Sequence, residues 1–127
     1  MAELTPAGYT QLRTGSPVSE WFIELRDDND QPIPIFPGPV NRLSGADSRV
    51  TVSDDTGSQT ITISVQLDSD DVGATPGNPV TVEASVLYAA VSGGNPLTAV
   101  EGFDPFTWSA PGDEGTINHH VEVPEQA

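Results

Sequence analysis

Cysteine is absent from this chain of 127 residues, so no disulfide, thiolate nucleophile or Cys-based zinc site can form. Lysine is absent too. The only four cationic side chains are Arg13, Arg26, Arg42 and Arg49, set against 19 Asp and Glu, for a net charge of -15. Nucleic-acid binding needs clustered cations to neutralise phosphates, and an anionic membrane surface needs the same, so neither partner is expected. No apolar run approaches the length that spans a bilayer. The first residues, Met-Ala-Glu-Leu-Thr-Pro, lack the positive start and apolar stretch of a secretory signal. Synthesis in a cytoplasm is the expectation.

A large anionic excess without Lys has a physical reading. In molar salt the screening length falls to about 3 Å, self-repulsion fades, and carboxylates keep the surface hydrated. The composition resembles the proteomes of salt-in halophiles, haloarchaea in particular.

Residues 1–17 carry Pro6, Gly8, Gly15 and Pro17 without any period, which reads as an extended N-terminal arm. From Val18 the pattern becomes strand. Trp21, Ile23 and Leu25 alternate with Glu20, Phe22, Glu24 and Arg26, giving a core face and a mostly charged face. Prolines 32, 34, 37 and 39 confine the next stretch to an edge or loop. A hairpin follows, with Val50 and Val52 on one arm and Ile61, Ile63, Val65 and Leu67 inward on the other. The strand at 80–90 places Val80, Val82, Ala84, Val86, Tyr88 and Ala90 on the expected core face, with Thr81, Glu83, Ser85, Leu87 and Ala89 opposite. A short strand is expected at 97–101, and further strands at 106–109 and 116–123. No stretch shows a helical period. The sum is an all-β chain, a single antiparallel β-sandwich of six to eight strands, immunoglobulin-like or jelly-roll-like. The sandwich is expected over 18–123, with the arm at 1–17 and a C-terminal tail at 124–127.

Few motifs carry chemistry. Asp27, Asp28 and Asp30, and again Asp68, Asp70 and Asp71, offer oxygen ligands, but neither segment has a full calcium-loop pattern, and Asp is also what a turn uses for its own backbone. Adjacent His119 and His120 point to opposite faces of a strand and so cannot share one metal, one being half-buried and the other solvent-facing. No nucleophile elbow, phosphate loop or metalloprotease motif occurs. No catalytic residue, metal or cofactor is expected. Phe103, Phe106 and Trp108 form either a core plug or an exposed platform for carbohydrate; with eight aromatics in the chain, the core needs most of them.

Three segments carry a family resemblance: Trp-Phe-Ile-Glu-Leu-Arg-Asp-Asp-Asn-Asp-Gln-Pro-Ile at 21–33, Asp-Asp-Val-Gly-x-x-Pro-Gly at 70–77, and Val-Thr-Val-Glu-Ala-Ser-Val-Leu-Tyr at 80–88. With the valine-rich hairpin at 49–67, the layout resembles small β-sandwich modules of tailed viruses. It is similar to the N-terminal domain of phage baseplate upper proteins over about residues 18–109, departing from it in the proline-rich segment 32–39. Joined to the halophilic composition, the resemblance implies a non-enzymatic virion protein of a haloarchaeal tailed virus, either capsid-decorating or attached to tail or baseplate. Its partners would be other capsid or tail subunits and further copies of itself in a symmetric assembly. The alternative from another class is a carbohydrate-binding or host-adhesion sandwich. Since like-charged surfaces meet only where charge is sparse, the assembly interface is expected at the stretches without acidic residues, 4–19 and 84–100, with Leu4, Tyr9, Leu12, Val18, Leu87, Ala89, Val91 and Leu97 as contacts. On that reading, removing residues 2–16 leaves the sandwich folded.

Overall fold

The computed structural model describes residues 2–8, 21–36, 39–55 and 60–122. The chain is all-β. Its strands are β1 (Ala2–Glu3), β2 (Phe22–Asp27), β3 (Leu43–Ser44), β4 (Val50–Asp55), β5 (Thr60–Asp68), β6 (Val80–Tyr88), β7 (Glu101–Trp108) and β8 (Glu114–Glu122). They form two four-stranded sheets, ordered β1-β8-β5-β4 and β3-β2-β6-β7. All pairings are antiparallel except the short one between β1 and β8.

The expected hairpin is β4–β5, in continuous register from Val50↔Val65 to Asp55↔Thr60. β-Branched residues fill both faces of a pleated strand well, and here Ile63, Val65 and Leu67 turn inward. Against them stand Ile23 and Leu25 of β2, Val82 and Leu87 of β6, and Trp108 of β7, within one buried apolar cluster that draws on both sheets. Trp108 ties the sheets by a hydrogen bond from Nε1 to the Leu67 carbonyl, at 3.0 Å. Ile33 and Ile35, inside the proline-rich segment, also belong to the core. Each Pro in that run removes a donor, yet the Ile33 and Ile35 N–H groups still bond Leu25 and Val40, which is the edge role the prolines allow.

Strand β6 departs from simple alternation. Arg26 pairs with Ala84 while the next residue, Asp27, pairs with Val82, so Glu83 is an extra residue that shifts the pleat. Val82 faces the core before the bulge, and Ser85 and Leu87 face it afterwards, opposite Leu25 and Ile23. Val86 and Tyr88, expected inside, are buried on the other face of the sheet, beside Glu24 and Phe22. Between Leu97 and Val100 there is no strand; Thr98 makes one bridge to Leu4, and β7 starts at Glu101.

The start of the expected arm is docked on its own chain. Ala2 and Glu3 pair with Val121 and Glu122, the Thr5 N–H bonds the Leu97 carbonyl at 2.9 Å, and Leu4 is buried in the core. Removing residues 2–16 therefore takes away a core side chain and a sheet edge, and the expectation of an unaltered fold is corrected: the deletion should destabilise. Residues 9–17 of the arm and the tail at 124–127 lie outside the described residues.

Gly115 shows how closely the sheets meet. A Cβ there would fall 2.7 Å from Phe106 Cε1 and 3.0 Å from Trp108 Cζ2. Gly115→Ala should thus overpack the site and cost about 1–3 kcal/mol, read as a lower urea midpoint with an unchanged slope.

Candidate functional site

The residues expected at an assembly interface divide three ways. Leu4, Leu87 and Leu97 are buried in the chain's own core, so they are corrected from contacts to core residues. For Leu87 the reason is the bulge at Glu83, which turns it inward; for Leu4 and Leu97 it is their mutual docking through Thr5 and Thr98. Ala89 and Val91 are exposed, Val91 at 55%. Tyr9, Leu12 and Val18 lie outside the described residues.

Ala89 and Val91 belong to an excursion between β6 and β7 in which residues 89–96 are all exposed and none is charged. Ala99 and Val100 extend the exposed apolar surface, Val100 at 49%. The excursion is held from beneath. The Arg42 guanidinium donates from one terminal nitrogen to the carbonyls of Ala90 and Gly93, at 2.9 and 2.8 Å, and from Nε to Glu24 Oε2 at 3.1 Å. It lies 3.4 Å from the centroid of the Tyr88 ring, a cation–π contact. Arg26 completes the group, bonding Glu24 Oε1 at 3.0 Å and the Tyr88 hydroxyl at 2.9 Å. The mostly charged face of β2 is thus covered by two arginines sharing one carboxylate. An adjoining hollow of about 460 Å³ is lined by Pro32, Val40, Asn41, Val91, Ser92 and Gly93 together with Glu24 and Arg42. Val40, at 37% exposure, faces solvent as Val91 does.

At the base, the Leu97 N–H bonds the Leu87 carbonyl at 2.8 Å, and the Thr5 hydroxyl donates to the Pro96 carbonyl at 2.6 Å. Arg42 and Tyr88 were not legible as parts of this site from sequence. The one available signal was an arginine in a chain nearly devoid of cations, a residue whose scarcity argues for a specific partner.

His119 is completely buried between the sheets, with Nδ1 2.6 Å from Ser85 Oγ and Nε2 3.0 Å from Thr98 Oγ1. The Thr98 hydroxyl donates to the Ala99 carbonyl, so it accepts from His119, which assigns the ring proton to Nε2 and makes Ser85 the donor to Nδ1. Desolvation pushes the imidazole pKa down to about 4, with the His120 charge adding to it. A serine donating to histidine is the arrangement of an activated nucleophile, but with Ser85 and His119 fully buried no substrate reaches it. Its role is to satisfy polar groups across the core. His120, on the opposite face, is half-exposed beside Glu101.

The acidic loops spend their oxygens on turns and on arginine. Asp27 Oδ1 accepts from the N–H groups of Asn29 and Gln31, both at 2.9 Å. Asp68 and Asp71 each accept the other's N–H at 2.9 Å. Arg49 bridges three segments, donating to Asp47, to Asp71 and to the Phe36 carbonyl, and its side-chain bond holds the Asp47 carboxyl below the usual range. Among the described residues no group of three acidic or imidazole side chains is placed to hold a metal ion. Trp108 is fully buried and Phe103 and Phe106 pack half-buried against the core, which excludes Trp108 from any carbohydrate platform.

No family model matches the chain, and no curated protein or solved structure does either.

Proposed function

We propose that this protein is a non-enzymatic structural subunit that acts by protein–protein assembly, with the excursion at 89–100 as its contact surface. The observation that carries the reading is the contrast between an anionic chain and the longest exposed, uncharged run among the described residues, 89–96, displayed in fixed shape by Arg42. A surface subunit of net charge -15 meets neighbours only where that charge is absent or screened. The two sheets, sharing one buried cluster and linked through Trp108 and His119, are read as a single sandwich, a scaffold that suits such a role. The proposed setting is the virion of a tailed virus in a salt-rich host, on capsid, tail or baseplate, with other virion proteins and further copies of the chain as partners. This setting rests on the composition and on the resemblance to tailed-virus modules.

The test is the double variant Val91→Asp, Val100→Asp, compared with the wild type by sedimentation equilibrium in molar salt. The wild type should form oligomers and the variant should remain monomeric at the same concentration with the same unfolding midpoint. Equal masses for the two proteins would remove the excursion as the contact.

A further inference from the structure

Strand β8 lies between β5 and β1, but β1 covers only Val121 and Glu122. Upstream of these, among the described residues, one flank of β8 has no strand on it. Backbone groups in an antiparallel ladder alternate in direction, so every second residue faces the same neighbour. The His120 N–H faces away from β5, towards the Glu101 carboxylate of β7, with both oxygens at 3.2 Å. Thr116 and Asn118 therefore turn their N–H and C=O groups the same way, and both residues are exposed. Between this flank and β7 runs a groove of about 460 Å³, lined by Glu101, Phe103, Asp104, Thr116, Asn118 and His120 among others.

Natural sheets block such an edge with Pro, Lys, a bulge or a covering segment. Here the register of β8 on β5 is unbroken from Thr60↔Glu122 to Asp68↔Glu114, and the strand contains neither Pro nor Lys. The Glu101 carboxylate occupies the position at His120, and among the described residues no backbone pairs with Thr116 and Asn118 on the side of the groove.

We propose that this edge binds an extended strand of a different protein, bearing Lys or Arg, which pairs with Thr116 and Asn118 through its backbone. Charge decides the occupant. A second copy would bring more carboxylates against Glu101 and Asp104, and it has no Lys; three of its four arginines, Arg26, Arg42 and Arg49, are engaged in internal ion pairs, which leaves at most Arg13 where an alternating cationic strand presents several charges. A cationic strand matches the carboxylates of Glu101 and Asp104 on the β7 wall. Half-buried Phe103 supplies an apolar contact for the side chains in between. The surface is distinct from the excursion at 89–100, so the inference stands apart from the proposed function.

The probe is an end-blocked seven-residue peptide of alternating Lys and Val, titrated into the isotope-labelled full chain. Controls are the Glu/Val counterpart and the Lys/Val peptide with its central Val replaced by Pro. At saturation the Lys/Val peptide should slow amide exchange of Thr116 and Asn118 about tenfold. The Glu/Val peptide should leave exchange unchanged. The Pro peptide, equal in charge but unable to continue the ladder, should bind at least about tenfold more weakly. Asp104→Lys, at an exposed position, should weaken the Lys/Val peptide about tenfold without altering the unfolding midpoint. Equal binding of the Lys and Glu peptides, undiminished binding of the Pro peptide, protection confined to residues outside 114–120, or no binding at all would overturn the proposal.

Discussion

Trp108→Ala should cost about 3–5 kcal/mol, the largest effect expected of any single substitution in this chain. The side chain is fully buried, donates to the Leu67 carbonyl at 3.0 Å, and meets Phe106 edge-on with ring centroids 5.0 Å apart. Truncation would open a cavity between the sheets and remove the side-chain hydrogen bond to the Leu67 carbonyl. Because domains of this size hold about 5–15 kcal/mol in total, the loss is a large share of stability. Trp108→Phe keeps a six-membered ring but removes the N–H and two ring carbons, so a smaller loss of about 1–3 kcal/mol should result. Urea unfolding at constant salt measures both. A Trp108→Ala midpoint close to that of the wild type would mean the ring is not the core element described.

The second large effect is acid destabilisation through His119. Its folded pKa of about 4 lies below its ordinary value of 6.5, so between these limits the unfolded chain binds the extra proton. Stability from this group is complete above pH 6.5 and is lost as pH falls through that window, by roughly 3 kcal/mol at pH 4. The physical cause is that a cation would have to sit between the sheets with only the hydroxyls of Ser85 and Thr98 for company. Paired carboxylates such as Asp47 also lose stability in acid, but at lower pH, since that group's folded pKa is depressed below its ordinary 3.8. The difference between wild type and His119→Gln, followed from pH 7 to pH 4, isolates the histidine. The wild type should lose stability more steeply than the variant; parallel curves would contradict the assignment.

What could be read from the sequence was what local pattern determines. The β4–β5 hairpin alternates without interruption, and Trp21, Ile23 and Leu25 are inside where their period puts them. The misread positions all depend on distant partners. Glu83 becomes a bulge only because β2 pairs across it, and that one extra residue moves Leu87 from the expected surface to the core. Glu24 was placed on a mostly charged face with Glu20 and Arg26, yet Arg42 and Tyr88 arrive from elsewhere to cover it. Leu4 and Leu97 are far apart in sequence and close in the fold. At the candidate site, Ala89 and Val91 were visible as uncharged residues, whereas the arginine that shapes their loop was not.

Charge and its local absence are the centre of this account, and hydrogen exchange tests it most directly. The chain is compared in molar salt at a concentration where it is assembled and at a dilution where it is not. Amides of residues 89–95 and Val100 should exchange more slowly in the assembled sample, with the acidic turns at 27–31 and 68–71 unchanged. Slowing at the acidic turns, with none at 89–100, would contradict it.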